Sequence, residues 1–155
     1  MDESIAPRPF TAAQIRDANP AGTVLVFRLR PMGQPEMHQR FEFHETDGEV
    51  VRMGGRTTDA AGVELQVEPA APVSWVELRD HATFPAEATV LDEVQIEVPA
   101  GAFHCKRYTV TRPDGQVEVF HFADDRPGPP VLMTIAAGGA EVFRMDLLEV
   151  RRPGA

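Results

Sequence analysis

Apolar residues recur at every second position in one short stretch of this chain after another, and a period of two is the mark of strands with one buried face. Val63, Leu65 and Val67 alternate with Glu64, Gln66 and Glu68, and Val94, Ile96 and Val98 alternate with Glu93, Gln95 and Glu97. Both read as amphipathic strands with acidic outer faces. Leu25, Phe27 and Leu29 alternate with Val26, Arg28 and Arg30; Phe41 and Phe43 alternate with Arg40, Glu42 and His44. Turn signals separate the stretches. Asp47-Gly48 joins one strand to a return over Glu49–Met53, and Gly54-Gly55 ends or bulges that strand. Asp114-Gly115 joins 102–111 to Val117–Phe122, Pro127-Gly128-Pro129-Pro130 makes a corner, and Gly138-Gly139 joins Val131–Ile135 to Val142–Val150. No strand–helix–strand alternation, internal repeat or low-complexity tract interrupts the pattern.

The architecture this implies is mainly β: a curved antiparallel sheet, half-barrel or barrel, of about eight or nine strands. One short N-terminal helix precedes it. Thr11 caps that helix, Gln14 stands at the capping-box position, and Asn19-Pro20 stops it near Ala18. Residues 1–10, with Pro7 and Pro9, read as a flexible N-terminal arm, 11–150 as a single β-rich domain, and 151–155 as a flexible tail. Residues 69–92 are irregular. Val73–Leu78 reads as a strand and Pro85–Leu91 as a connection, and the sequence leaves open whether the segment is a lid, a linker or two poor strands. In the stretch after Ala102, Phe103 and Cys105 have one parity and Tyr108 and Val110 the other, so a bulge near Lys106-Arg107 is expected to bring all four to one face.

At 155 residues with 43% apolar content, one domain can bury a core without staples. The net charge of −9 and a single lysine, Lys106, argue against nucleic acid, which requires clustered cations. No apolar run is long enough for a transmembrane segment. Met1 is followed by Asp2 and Glu3, which is not the start of a secretory signal. The compartment stays open: cytoplasmic as the sequence stands, periplasmic or surface where a leader has been removed. The lone Cys105 cannot form an internal disulfide.

The stretch 98–131 resembles a segment of small bacterial β-proteins grouped loosely with the lipoprotein-carrier-like (LolA/LolB-like) curved-sheet families. Val98-Pro99-Ala100-Gly101, Phe103, Cys105, Tyr108, Phe120-His121-Phe122 and Pro127-Gly128-Pro129 carry the resemblance. It implies a sheet wrapped round a short helix, with an apolar groove for acyl chains or a partner segment, and no catalytic residues.

Catalytic and metal signatures are absent from the sequence. His38, His44, His81, His104 and His121 have neither i,i+2 nor i,i+4 spacing. With Asp114-Gly115 as a two-residue loop, His121 pairs with Tyr108 and His104 with Asp125, leaving the imidazoles about 13 Å apart. Asp92-Glu93 and Asp124-Asp125 read as solvated strand ends, Cys105 as core, and Ser74 lacks a nucleophile context. No cofactor is expected. The leading reading is a non-enzymatic binding or interaction domain for an apolar or amphipathic ligand or a lipoprotein-like partner. It rests on a strand, Val119-Phe120-His121-Phe122, with apolar groups on both faces. Phe103, Tyr108, Phe120, Phe122, Met133, Phe143 and Met145 are the candidate lining. One alternative is a small-barrel hydrolase or isomerase using His121, Tyr108 and Asp124. Another is a structural or assembly protein acting through an oligomer interface. In the leading reading, an open sheet would offer unpaired edges for homodimerisation by strand addition.

Overall fold

A computed structural model describes residues 4–153. Nine antiparallel strands form a single sheet: β1 (Val24–Pro31), β2 (Met37–Thr46), β3 (Val50–Asp59), β4 (Glu64–Ser74), β5 (Thr89–Val98), β6 (Gly101–Thr111), β7 (Val117–Ala123), β8 (Leu132–Ala137) and β9 (Ala140–Arg151). Their spatial order is β4-β3-β2-β1-β9-β8-β7-β6-β5. Two meanders, β1–β4 and β5–β9, are therefore sewn together by the β1–β9 pair. That pair runs from Val24–Arg151 to Pro31–Phe143. The sheet is strongly curved and does not close into a barrel.

Helix α1 (Ala12–Ala18) begins as the sequence indicates. The Thr11 hydroxyl accepts from Gln14 N (3.1 Å), and the Gln14 side chain accepts from Thr11 N (2.9 Å). Ile15 is its buried residue. A second helix, α2 (Trp75–Asp80), occupies most of the stretch read as a strand over Val73–Leu78. Only Val73 and Ser74 belong to β4. Ser74 Oγ accepts from Glu77 N at 3.0 Å, so the Ser-x-x-Glu spacing stops the strand and starts a helix. After α2, one 3₁₀ turn (Ala86–Ala88) leads into β5.

The connection between β6 and β7 differs by one residue from the expected two-residue loop. Gly115 N donates to Arg112 O (2.9 Å) and Arg112 N to Gln116 O (2.8 Å), leaving Pro113, Asp114 and Gly115 as the loop. Gly115 closes it at φ 89°, a left-handed conformation that glycine supplies without strain. The register moves accordingly: Tyr108 pairs with Phe120, and Arg107 with His121. β6 pairs with β5 and β7 without a register shift, so the expected bulge at Lys106-Arg107 does not form. Phe103 and Cys105 instead face the side opposite to Tyr108 and Val110. The tip of the β5–β6 hairpin folds onto β9, where Ala100 N donates to Leu147 O (3.1 Å). Cys105, Val98 and Ala123 are all buried.

β4 also departs from its sequence pattern. Register shifts between Met53 and Gly55 and between Thr57 and Thr58 of β3 mark irregularities in its pairing with β4. An extra residue on one strand reverses which side chains face inward beyond it. Val63, Leu65 and Val67, expected on the buried face, are 58%, 55% and 46% exposed.

Residues 4–10 lie against the segment before β5. Ala6 N donates to Phe84 O (2.9 Å), Ala86 N donates to Ser4 O (2.8 Å), and the Tyr108 hydroxyl donates to Pro7 O (2.5 Å). Ala6 and Phe10 are buried in the core, and Arg151 closes β9. The end of α1 is tied to the 124–130 corner by a buried polar knot. Asn19 Nδ2 donates to Ile15 O (2.8 Å) and Pro127 O (3.1 Å). The Arg126 guanidinium donates to Ala18 O (2.9 Å) and to Asn19 Oδ1. Burial lowers Arg126 to about 10, with the Arg152 charge adding to the effect. It stays charged at neutral pH, where the carbonyl end of a helix favours a cation. Asn19→Ala leaves these partners buried and unpaired; the expected loss is about 2 kcal/mol, read as a lower urea midpoint with an unchanged m-value.

Candidate functional site

Cross-strand partners share a face, and successive residues alternate. Starting from Phe120, the pairs Tyr108–Phe120, Phe120–Met133 and Met133–Met145 run one row across β6 to β9, and Leu29 pairs with Met145 on β1. This row faces the helices. In the middle of the sheet, the opposite face carries Arg107, His121, Leu132, Asp146 and Arg28 in a parallel row.

The inner face and the helices enclose a groove of about 510 Å³. Ala71 and Val73 of β4 line one wall, and Phe120 and Phe122 of β7 line the other. Those strands stand six places apart in the sheet, about 29 Å if it were flat. That they share a cavity of this size measures the curvature. Ile15 of α1, Leu78 of α2, Phe84 and the Gly128-Pro129-Pro130 corner complete the enclosure. Nearly every lining group is apolar. Among the described residues, Glu68 and His81 are its only ionisable side chains, and both are exposed.

Of the residues the sequence nominated as lining, Phe120, Phe122, Met133 and Met145 stand in this groove. Tyr108 lies beneath it, fully buried and packed on Phe84 and Phe122 at ring separations of 5.5 and 5.4 Å. Burial pushes its phenol up to about 12. Phe143 shares the inner face but pairs with Ile135 and Pro31, away from the groove. Phe103 lines a separate shallow pocket with Pro99, Leu148 and Val150. The β2–β4 wall of Phe41, Phe43, Met53 and Val73 was missed, and so was the contribution of Leu78, Ala82 and Phe84. Trp75 stacks on Phe43 at 6.1 Å and donates its indole N–H to Thr46 Oγ1 (3.1 Å). The protein's one tryptophan is thus coupled to the groove wall.

The polar groups considered for catalysis do not converge. Tyr108 is inside, with its hydroxyl held by the Pro7 carbonyl, and His121 is on the other face. Asp124 is at the surface, bonded to His104 Nδ1 (2.7 Å), with Lys106 Nζ at 3.4 Å. The one-residue change in the β6–β7 loop brings His104 to Asp124 in place of Asp125. The bond to Asp124 raises the His104 pKa, and the Asp124 pKa is lowered chiefly by the same bond. Glu93, His104 and Asp124 offer three ligand atoms within 4.8 Å of one another, all exposed. One face of a cation could be held there, against the competing Lys106 charge. The sequence did not single out this trio, because it joins three separate segments. Cys105 is buried, and burial pushes its thiol up to about 11, so it stays protonated at neutral pH.

No family model matches the chain, and no curated protein matches it. Among solved structures, the crystal structure of MucB is similar, with a TM-score of 0.58 at 17% identity over 92% of this chain and 57% of the other. MucB in complex with MucA(peri) gives 0.55 at 17% identity over 90% and 55%. The chain spans little more than half the length of those relatives. The likeness is one of fold, and at that level it agrees with the curved-sheet resemblance of residues 98–131.

Burial lowers the His121 pKa from its ordinary 6.5, so the unfolded chain takes up this proton first as pH falls. His121 therefore contributes stability at neutral pH that is lost on acidification below about 6.5. His104, raised by Asp124, acts in the opposite sense: its contribution is full below 6.5 and is lost as pH rises through its folded pKa. Urea midpoints compared at neutral and mildly acid pH are expected to fall less in His121→Gln than in wild type, and more in Asp124→Asn.

Proposed function

We propose that this protein is a non-enzymatic binding domain whose groove takes the hydrocarbon part of an amphipathic ligand. The observation that carries this reading is the groove: about 510 Å³, of the size that small-molecule sites occupy, and apolar on almost every side. A groove lined by Phe, Met, Val and Pro gains by exchanging water for hydrocarbon. It is a poor host for a peptide backbone, whose N–H and C=O groups would find few partners among these side chains. An alkyl chain has no such requirement. The methionines at positions 53, 133 and 145 add a wall that can adjust to chains of different shape.

Two further facts favour binding over chemistry. Tyr108, His121 and Asp124 lie in three different environments, so the trio considered for acid–base chemistry does not assemble at the groove. A protein similar in fold, MucB, forms a complex with another protein, MucA(peri), which supports interaction as the work of such a sheet.

Native mass spectrometry of gently purified protein is expected to show an added mass of lipid size. In titrations with the neutral apolar fluorophore N-phenyl-naphthylamine, Met133→Trp and Ala71→Trp fill the groove from opposite walls. Each is expected to weaken binding about tenfold, equal to about 1.4 kcal/mol. Unaltered affinity in both folded variants refutes the groove as the site.

A further inference from the structure

We infer that the groove discriminates among amphiphiles by head-group charge, favouring a cationic head and disfavouring an anionic one. The inference rests on the groove reading and adds the class of ligand. Among the described residues, no Lys or Arg lines the groove, and Glu68 is its one carboxylate.

Its inward position is built by the fold. The pairing of β3 with β4 shifts by one residue between Met53–Ala71 and Gly55–Glu68. A continuous ladder from Met53–Ala71 would set Pro69 opposite Gly55. The shift sets Glu68 there instead, on the same side as Phe41, which pairs with Gly55 from β2. A bulge is a device for re-aiming a side chain. The side chain lies over Gly55: a Cβ there would stand 3.7 Å from Glu68 Oε2 and 3.9 Å from Glu68 Cβ, both ordinary contact distances. The carboxylate thus lies along the inner wall of the sheet.

The same carboxylate is uncompensated. Among the described residues, Glu68 has no hydrogen bond or ion pair. The arginine nearest in the ladder is engaged elsewhere: Arg56 holds Glu64 (2.9 Å) and lies 3.7 Å from Glu42. An alkyl chain seated in the groove with an ammonium head at this wall gains an ion pair with Glu68. A carboxylate or phosphate head meets a like charge, in a protein whose net charge is already −9.

Three ligands with the same dodecyl chain separate the effects: dodecyltrimethylammonium, dodecyl maltoside and dodecanoate, each titrated below its micelle concentration at low salt, with Trp75 fluorescence as the readout. Cationic amphiphiles bind any acidic protein to some degree, so the ratio of ammonium to carboxylate affinity is compared across variants. Glu68→Gln is expected to lower that ratio about two- to fivefold, the range of an exposed ion pair. Glu97→Gln, on the far edge strand β5, is expected to leave it unchanged. A ratio that falls equally in both variants, or in neither, overturns the inference while leaving the groove intact. Failure of the uncharged maltoside to bind wild-type protein overturns the groove reading itself, and the inference with it.

Discussion

The chain leaves the sheet at one edge and must re-enter it at the other. β4 and β5 are the two outermost strands, and only residues 75–88 connect them. A flat sheet of nine strands is about 38 Å wide. The connection contains a helix of six residues and a 3₁₀ turn of three. Even with every other residue extended it reaches only about 35 Å. The sheet therefore has to curve. The strap that forces this lies across the inner face and supplies Leu78, Ala82 and Phe84 to the groove. The short strap thus excludes a flat sheet and lays its own apolar side chains over the inner face.

Inside that frame, polar contacts fix the pieces that apolar packing would leave free to slide. Asn19 and Arg126 lock the carbonyl end of α1 to the corner after β7, so the helix cannot drift into the groove it borders. Tyr108 holds the N-terminal segment through Pro7, and that segment pairs with the strap at Phe84. On the opposite face, Arg28 grips the buried Asp146 at 2.6 and 3.0 Å across the β1–β9 junction. That junction is where the two meanders join, and a charged pair across it specifies register where a one-residue slip would turn every side chain over.

The groove is the space this packing does not fill. Its apolar lining is continuous with the core: Phe43 and Phe122 belong to both. A ligand chain would extend the core rather than meet a separate surface. Glu68 and His81 are the exceptions among the described lining residues. Glu68 is brought to the inner face by a register shift instead of by hydrophobic pattern.

The class of fold and much of the local structure were legible in the chain. Alternation marked the strands, the Thr11–Gln14 box started α1, and glycine- and proline-rich pairs placed the turns, because these are short-range effects of backbone sterics and nearest-neighbour hydrogen bonds. Of the seven residues that aromatic and methionine content pointed to, Phe120, Phe122, Met133 and Met145 stand on the groove, while Phe103, Tyr108 and Phe143 do not line it. The Ser74–Glu77 signal for α2 was present too, obscured by the β-favouring Val73, Trp75 and Val76 around it. The remainder was set by how distant segments pack. Whether Val67 or Glu68 faces inward depends on a register shift against β3, and whether His104 meets Asp124 or Asp125 depends on one residue in a loop. The far wall of the groove depends on β4 curving round to face β7. Each is a relation between segments distant in the chain, and periodicity along a single strand carries no information about the strand it will pair with.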